Sequence, residues 1–526
     1  MRLNSLLLVD GYTDEPGGLG VPPYIDVYPR LAAGAVWLAN PEARIDYVTV
    51  DALRTVPARS RVKLFSRYDA VVFIAGVVVP GKYLGAHPVE PLELASFLRE
   101  ARGPLRILVG PAAKWGLGWE GGRPAYPPSY FKRQGADVLV TGDVEEYMYS
   151  LASEGEHRAD PRRIRRDYRL YDEAAVRGAK IIRQHPNLGW NLTVELETYR
   201  GCARWVTGGC SFCVEPLRGR PIQRSVEGIV REVEALHLYG ARSFRLGRQA
   251  DILVYGSSGL GTVEWPRPDP DMLERLFRGV RSAAPGLETL HIDNVNPGTI
   301  ARHPRESLEA VKNIIKYHTP GDVAAFGLET ADPRVARINN LNTTPGEALE
   351  AIRLLNRVGA RRGGNGLPEL LPGLNFILGL PGETAETYRL NRLFLETLLR
   401  ENLLVRRVNV RRLLPVPATR AYRMKHGIRG RREKHARSFT VFVRKVFDPE
   451  MLSRIVPAGT VLRNLWVELC NGSLCYARQT GSYPLIGAIR DRGRLYRGVL
   501  VSEARVAGVR SGRSVWIEPL KTVHPY

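Results

Sequence analysis

Cysteine is scarce: five occur in 526 residues, and none precedes Cys202. So sparse a set excludes a disulfide-stapled secreted scaffold. Long apolar runs are missing too, with nothing approaching the ~18 to 20 continuous residues of a membrane span. The opening MRLNSLLLVD passes straight into Asp10 with neither an h-region nor a small-residue cleavage site. A cytoplasmic chain without membrane contact is expected, its first residues forming a β-strand. Acidic residues are in deficit, 54 Asp and Glu against 76 Lys and Arg, for a formal net charge of +22. The excess is concentrated: from Glu401 to Tyr526, 25 Lys and Arg face 8 Asp and Glu, a net +17. Such asymmetry favours a polyanionic partner. Tracts such as Arg429-Gly430-Arg431-Arg432-Glu433-Lys434 supply phosphate-binding charge without reading any base.

What is present divides into three textures. Residues 1–160 alternate strands (6–9, 45–49, 70–74, 106–109, 137–141) with helices such as 93–102, the pattern of a doubly covered parallel sheet. A charged stretch, 157–169, reads as a linker or an exposed helix. Residues 186–447 carry six further strands (192–198, 243–247, 289–295, 323–329, 374–380, 407–414), separated by helices at 225–239, 271–284, 344–358 and 383–400. A βα unit repeated about six times closes into a full or partial barrel, with chemistry on the loops after its strands. Residues 448–526 turn to short strands punctuated by Asn471-Gly472, expected to form a small β-barrel. Gly17-Gly18-Leu19-Gly20 is too loose for a phosphate loop and reads as an ordinary one.

Three of the five cysteines, Cys202, Cys210 and Cys213, fall within twelve positions directly after the first strand of the second series. Thiolates ligate iron-sulfur clusters, and three protein ligands leave one iron open to a small molecule. A structural zinc would need a fourth ligand, and His185 and His237 lie off in neighbouring segments. Glycines 201, 208 and 209 let the backbone wrap closely. Cys470 and Cys475 flank Asn-Gly-Ser-Leu, so a hairpin would set them opposite one another as a disulfide or as two thiols.

The cysteine loop resembles the radical SAM signature, Cys-x3-Cys-x2-Cys with an aromatic before the last Cys, here Phe212, but with a first gap of seven residues rather than three. Three later segments resemble that superfamily in order. Phe244 to Gln249 occupies the place that holds the methionine amine, implying contacts from Gly247, Arg248 and Gln249. Phe326 to Asp332 is similar to the fourth-strand segment whose Glu, here Glu329, points toward S-adenosylmethionine (SAM). Leu374 to Thr384 is similar to the fifth-strand Gly-Leu-Pro-Gly-Glu motif, implying Gly379, Pro381 and Gly382 beside the adenine. The resemblance implies a [4Fe-4S] cluster on Cys202, Cys210 and Cys213, SAM as cosubstrate, a separate electron donor and a 5′-deoxyadenosyl radical as the reactive species.

The flanking segments resemble known companions of such barrels: a cobalamin-binding-like Rossmann domain before it and a TRAM or OB-like barrel after it. The lower-ligand motif Asp-x-His-x-x-Gly is absent, so a scaffold or substrate-binding role is expected there rather than cobalamin. In the last barrel Trp466, Tyr476, Arg478, Tyr483, Arg494, Tyr496 and Arg497 are candidates for RNA contact; Trp466 and Tyr496, taken singly, are expected in its core. Across most of its length the chain resembles an archaeal radical SAM family, one member of which partners archaeosine synthase; Phe244 to Gln249 and Ala477 to Pro484 are the runs that recur. That resemblance implies tRNA as substrate, an archaeosine synthase-type partner protein, and C–N cleavage of a lysine-modified 7-deazaguanine. The alternatives are a tRNA methylthiotransferase-like enzyme, which would need three more cysteines in the first domain, and a non-catalytic RNA-binding metalloprotein.

Overall fold

The computed structural model describes residues 3–14, 23–79, 86–119, 123–424, 427, 431–491 and 493–524. The loop at 17–20 and residues 429 and 430 of the basic tract lie outside them.

The first unit supplies β1 (Ser5–Asp10), β2 (Tyr24–Ile25), β3 (Arg44–Thr49), β4 (Ala70–Ile74), β5 (Leu105–Val109) and β6 (Val138–Leu139). All but β2 form one parallel sheet in the order β3-β1-β4-β5-β6. Strand β4 is buried along its whole length, as a central parallel strand covered on both faces must be. β6 is shorter than its apolar run: the Gly142 and Asp143 amides donate to the carbonyls of Pro161 and Arg163, so the chain there turns to the following segment instead of extending the sheet.

That following segment is exposed at most of its positions, as its charge implies, but is anchored at Arg165 and Tyr168. Arg165 is buried and pairs with Glu145 (2.8 Å) and Glu197 (2.6 Å), carboxylates from the units on either side. Helix α1 (Val27–Ala39) crosses the later helix Arg169–Gly178 in backbone contact. A Cβ on Gly34 would lie 1.8 Å from the Ala174 carbonyl oxygen, and one on Gly178 would lie 1.8 Å from that of Arg30, so glycine is required on both. Arg30 and Arg224 then flank the fully buried Glu232 at 2.5 and 2.7 Å, and Arg224 also holds Asp172. Buried charges survive because each is answered at hydrogen-bond distance. The first unit is thus sewn to the second, and one continuous core runs from Leu3 to Ile517.

The second unit contributes β7 (Thr193–Leu196), β8 (Ser243–Leu246), β9 (Thr289–Ile292), β10 (Asn294–Val295), β11 (Asp322–Glu329), β12 (Leu370–Leu378) and β13 (Arg407–Arg412). Helices occupy the crossovers; in Pro270–Ala283, for example, Leu273, Leu276, Phe277 and Val280 are buried at i, i+3, i+4 and i+7. The third strand of the series breaks at Asp293, so β9 and β10 fall in different parallel sheets, β9-β8-β7-β2 and β10-β11-β12-β13. The edge strand β2 comes from the first unit, Tyr24 and Ile25 pairing with Thr193 and Val194.

The last unit is a closed barrel of β14 (Val461–Asn471), β15 (Leu474–Gln479), β16 (Ile486–Arg490), β17 (Leu500–Ser511) and β18 (Ser514–Val523), in the order β14-β15-β16-β18-β17. It begins after a helix, Asp448–Ile455, rather than at 448. Cys470 and Cys475 stand opposite one another across the hairpin and are joined as a disulfide. The barrel's Thr480–Pro484 loop reaches between the two parallel sheets. Ser482 N–H donates to His291 Nδ1 (3.0 Å), the Tyr483 hydroxyl donates to Asp293 (2.6 Å), and the Arg407 guanidinium lies 4.2 Å over the Tyr483 ring. A Cβ on Gly481 would meet the His291 ring at 2.7 Å.

Three expectations for this barrel are corrected. Arg478 is buried, held by Glu468 on the neighbouring strand at 2.5 Å, and cannot serve RNA. Trp466 points outward because Leu465 and Val467 take the core positions, and its ring faces Trp190 with centroids 6.5 Å apart. Tyr496 sits outside the ladder and is 49% exposed. No helix of the described residues is long and apolar enough to cross a membrane.

Candidate active site

The loop after β7 carries the cysteines, and its conformation follows from its glycines. Gly201, Gly208 and Gly209 have φ of 94°, 77° and 60°, the left-handed region that glycine enters without steric cost. Within the seven-residue gap, Ala203–Thr207 forms a 3-10 turn. Ser211 anchors the far side: its N–H donates to the Asn339 carbonyl (2.9 Å) and its hydroxyl to the Asn339 side chain (2.7 Å).

Cys202, Cys210 and Cys213 all line one cavity of about 360 Å³. Burial pushes the Cys202 thiol up to about 12 and raises those of Cys210 and Cys213 as well. Three neighbouring thiols that resist ionisation need a cationic centre before they can act as thiolates. Among the described residues no three His, Cys, Asp or Glu side chains converge on a point as ligands of a single ion would. A cubane accepts wider spacing, since each cysteine takes a different iron. His185 and His237 line no part of this cavity.

Opposite the thiols, Glu329 ends β11 with φ 63° after an irregularity in its pairing with β12. A left-handed glutamate at a strand end is strained and persists only where its surroundings impose it. The side chain lines the cavity, burial raises its carboxyl to about 8, and its Oε2 has no hydrogen-bond partner; Asn342 Oδ1, also lining the cavity, has none either. Buried polar atoms without partners facing an open volume mark where a polar ligand fits. Gly247, Arg248, Gln249 and Phe212 line it too. The Arg248 guanidinium is aimed by the first unit, at 3.2 Å from both Asp26 and the Tyr28 hydroxyl.

The Gly-Leu-Pro-Gly-Glu turn lies apart from the residues that line this cavity. Gly379, Pro381 and Gly382 do not line the cavity. The Pro381 carbonyl accepts from Asn339 Nδ2 (2.8 Å) and Glu383 accepts from the Gly379 N–H (2.8 Å), so the turn braces the cysteine loop from behind through Asn339. From the same strand it is Asn375 that reaches the cavity. Sequence reasoning also missed Asn294, Asn296, Asn342 and Glu264, isolated polar residues with no spacing signal. Arg204, within the seven-residue gap, is 3% exposed and its Nη1 donates to Cys210 Sγ at 3.3 Å.

The family model for the Radical SAM superfamily matches residues 196–393. An uncharacterized protein of Methanocaldococcus jannaschii, MJ0274, is 41% identical, covering 100% of this chain and 95% of its own. A tRNA-2-methylthio-N(6)-dimethylallyladenosine synthase of Ruegeria sp. is 27% identical over 40% of this chain and 41% of its own. Among solved structures, the radical S-adenosylmethionine methyltransferase TsrM from Kitasatospora setae, determined with tryptophan and a SAM analogue, aligns at a TM-score of 0.48 with 15% identity over 78% of this chain and 73% of that one. The match over the cysteine loop and most strands of the second unit, joined to an archaeal relative 41% identical along the whole chain, makes this chain a member of the radical SAM superfamily.

Proposed function

We propose that the protein cleaves SAM reductively and directs the resulting carbon radical at a nucleoside of tRNA. One observation carries the first half: three thiols share a single cavity with an unpartnered buried carboxyl oxygen, that of Glu329. When bound to the three sulfurs, a [4Fe-4S] cluster supplies the electron that splits the sulfonium into methionine and a 5′-deoxyadenosyl radical. The chain's own residues do the rest. Glu329, whose carboxyl burial raises to about 8, both donates and accepts when protonated, which suits ribose hydroxyls. Arg248, held by Asp26 and Tyr28, offers a fixed cation to a carboxylate. Surrounding protein keeps water away from the reacting atoms.

Charge supports the tRNA half. Exposed Arg411 and Arg420 stand beside the cavity, one acting on the Glu329 carboxyl and the other donating to the Gly209 carbonyl of the cysteine loop. The net +17 of the last quarter continues that field, and the Ruegeria relative is named for a tRNA nucleoside. Within tRNA chemistry, C–N cleavage of a lysine-modified 7-deazaguanine to archaeosine is the reaction favoured by the sequence resemblance. Methylthiolation is disfavoured by the lack of any cysteine before Cys202.

The test is anaerobic reconstitution. The protein is expected to bind about four irons and to form 5′-deoxyadenosine with dithionite and SAM, while Cys210→Ala loses both. Zinc binding without 5′-deoxyadenosine overturns the radical reading. Nucleoside mass spectrometry of tRNA from a strain lacking the gene tests the substrate: an unaltered nucleoside profile overturns it.

A further inference from the structure

The C-terminal barrel carries one row of residues across four strands. Tyr476 on β15 pairs with Ala488 on β16, Ala488 with Trp516 on β18, and Trp516 with Gly508 on β17. Alternation fixes their direction. Cys475, Ala477, Ile489, Val515 and Ile517 take the core positions, so the row between them faces outward. Ala488 is itself fully buried and Gly508 has no side chain, which leaves Tyr476 and Trp516 as a partly exposed aromatic surface.

Two arginines lie on that surface. Arg510 stands 5.3 Å from the Trp516 ring centroid and 5.5 Å from that of Tyr476, and Arg490 stands 4.9 Å from Trp516. Both are exposed, and neither has a carboxylate partner among the described residues. Exposed arginines elsewhere are of both kinds, Arg389 and Arg392 pairing with glutamates while Arg59, Arg437 and Arg505 have no ion pair among the described residues, so what sets Arg490 and Arg510 apart is the aromatic ring beside each. Arg510 Nη2 donates to the Tyr476 hydroxyl at 3.4 Å; stacked guanidiniums lose little freedom on binding, and their remaining N–H groups can meet an anion.

We propose that this face is a stacking platform for single-stranded RNA, an inference that rests on the tRNA reading above. Unpaired bases stack on Trp516 and Tyr476, and Arg490 and Arg510 hold the flanking phosphates. A protein groove would bury apolar surface without leaving two cations unanswered. Duplex RNA offers no open base faces to rings on the outer wall of a barrel, so a loop or an end is the part engaged. The platform selects where on a folded RNA the barrel sits, and the cysteine-lined cavity performs the chemistry.

The experiment uses the full-length reconstituted protein and a fluorescein-labelled 12-nucleotide RNA of mixed sequence, single-stranded or annealed to its complement, read by anisotropy across a salt series. Single strands are expected to bind at least fivefold more tightly than duplex. Arg490→Gln with Arg510→Gln should lower affinity at least tenfold and reduce the log–log salt slope by about 1.4, since each single-strand phosphate contact contributes roughly 0.7. Trp516→Ala should weaken binding by a similar factor while leaving the slope unchanged, because stacking releases no counterions. Should that variant not fold, the exposed arginine pair, checked by iron content and unfolding midpoint, still decides. If the wild-type protein binds neither RNA, the tRNA reading fails and the platform with it. If it binds single strands and the arginine variant binds them equally with the same slope, the platform alone is wrong. Preference for the duplex also overturns it.

Discussion

The Tyr483 hydroxyl, carried by the C-terminal barrel, donates to Asp293 from 2.6 Å at the point where the third strand of the radical SAM unit breaks. Asp293 directly precedes Asn294, which lines the cysteine cavity. A second connection runs from the Tyr483 ring to Arg407, from Arg407 to Asn409, and from Asn409 to Asn375 in the cavity wall. The barrel therefore forms part of what supports the site. Tyr483→Phe should cost about 1 kcal/mol, since it leaves a partly buried carboxylate, 16% exposed, short of one donor. In a double-mutant cycle with Asp293→Asn, calorimetric unfolding should show a coupling of at least about 1 kcal/mol; additive effects would mean the two residues act independently.

Arg204 bears on the cysteines differently. Its charge and N–H group lie against Cys210 Sγ, while Glu264 (2.8 Å) and the Asn340 carbonyl (2.9 Å) hold it in place. Hydrogen bonds and positive charge at ligand sulfurs favour the reduced form of a cluster. Arg204→Gln should therefore shift the midpoint in EPR-monitored redox titration to more negative values, with iron content maintained, and Arg204→Lys should shift it less. An unmoved midpoint in both variants would show that Arg204 only anchors the loop.

What was legible in the sequence was what local chemistry encodes. The cysteine spacing, the apolar strands and the turn at Asn471-Gly472 are each written within a few residues. What was not legible depends on partners distant in the chain. Arg165 reads as linker charge until Glu145 and Glu197 arrive from either side, and Arg478 reads as a surface cation until strand pairing brings Glu468 to it. The two-residue strand β2 is too short for any periodicity, though it supplies the edge of the second unit's sheet. Gly379 to Gly382 announce a turn clearly, but only the fold shows that the turn faces Asn339 rather than the cavity.

Arg248 gives a binding prediction. Its guanidinium lines the cavity, fixed by Asp26 and Tyr28 of the first unit and by Glu197 at 3.7 Å. A charge-assisted contact to a carboxylate contributes about 1.5 to 3 kcal/mol. Arg248→Gln should thus weaken SAM binding to the reconstituted protein by about tenfold or more in calorimetric titration. Tyr28→Phe, which removes one of its supports and leaves its charge, should weaken it by a smaller factor. Equal SAM affinity in all three proteins would exclude this role.

Asp10 gives a pH prediction for the first unit. It ends β1, is 2% exposed, and accepts from the Tyr12 N–H (3.0 Å) and the Tyr47 hydroxyl (2.8 Å). Burial raises its carboxyl from 3.8 to about 7, outweighing the two hydrogen bonds that oppose the shift. Between those values the folded chain keeps a proton that the unfolded chain releases. Stability from this group is therefore fully present below about pH 4 and declines as pH rises through 7, by at most ~1.4 kcal/mol per pH unit. Asn in its place cannot ionise and still offers an acceptor. Asp10→Asn should accordingly flatten the decline in unfolding free energy between pH 5 and 7.5 relative to the parent, measured by urea denaturation at each pH. Parallel profiles would mean that Asp10 ionises in the folded state at its ordinary pKa.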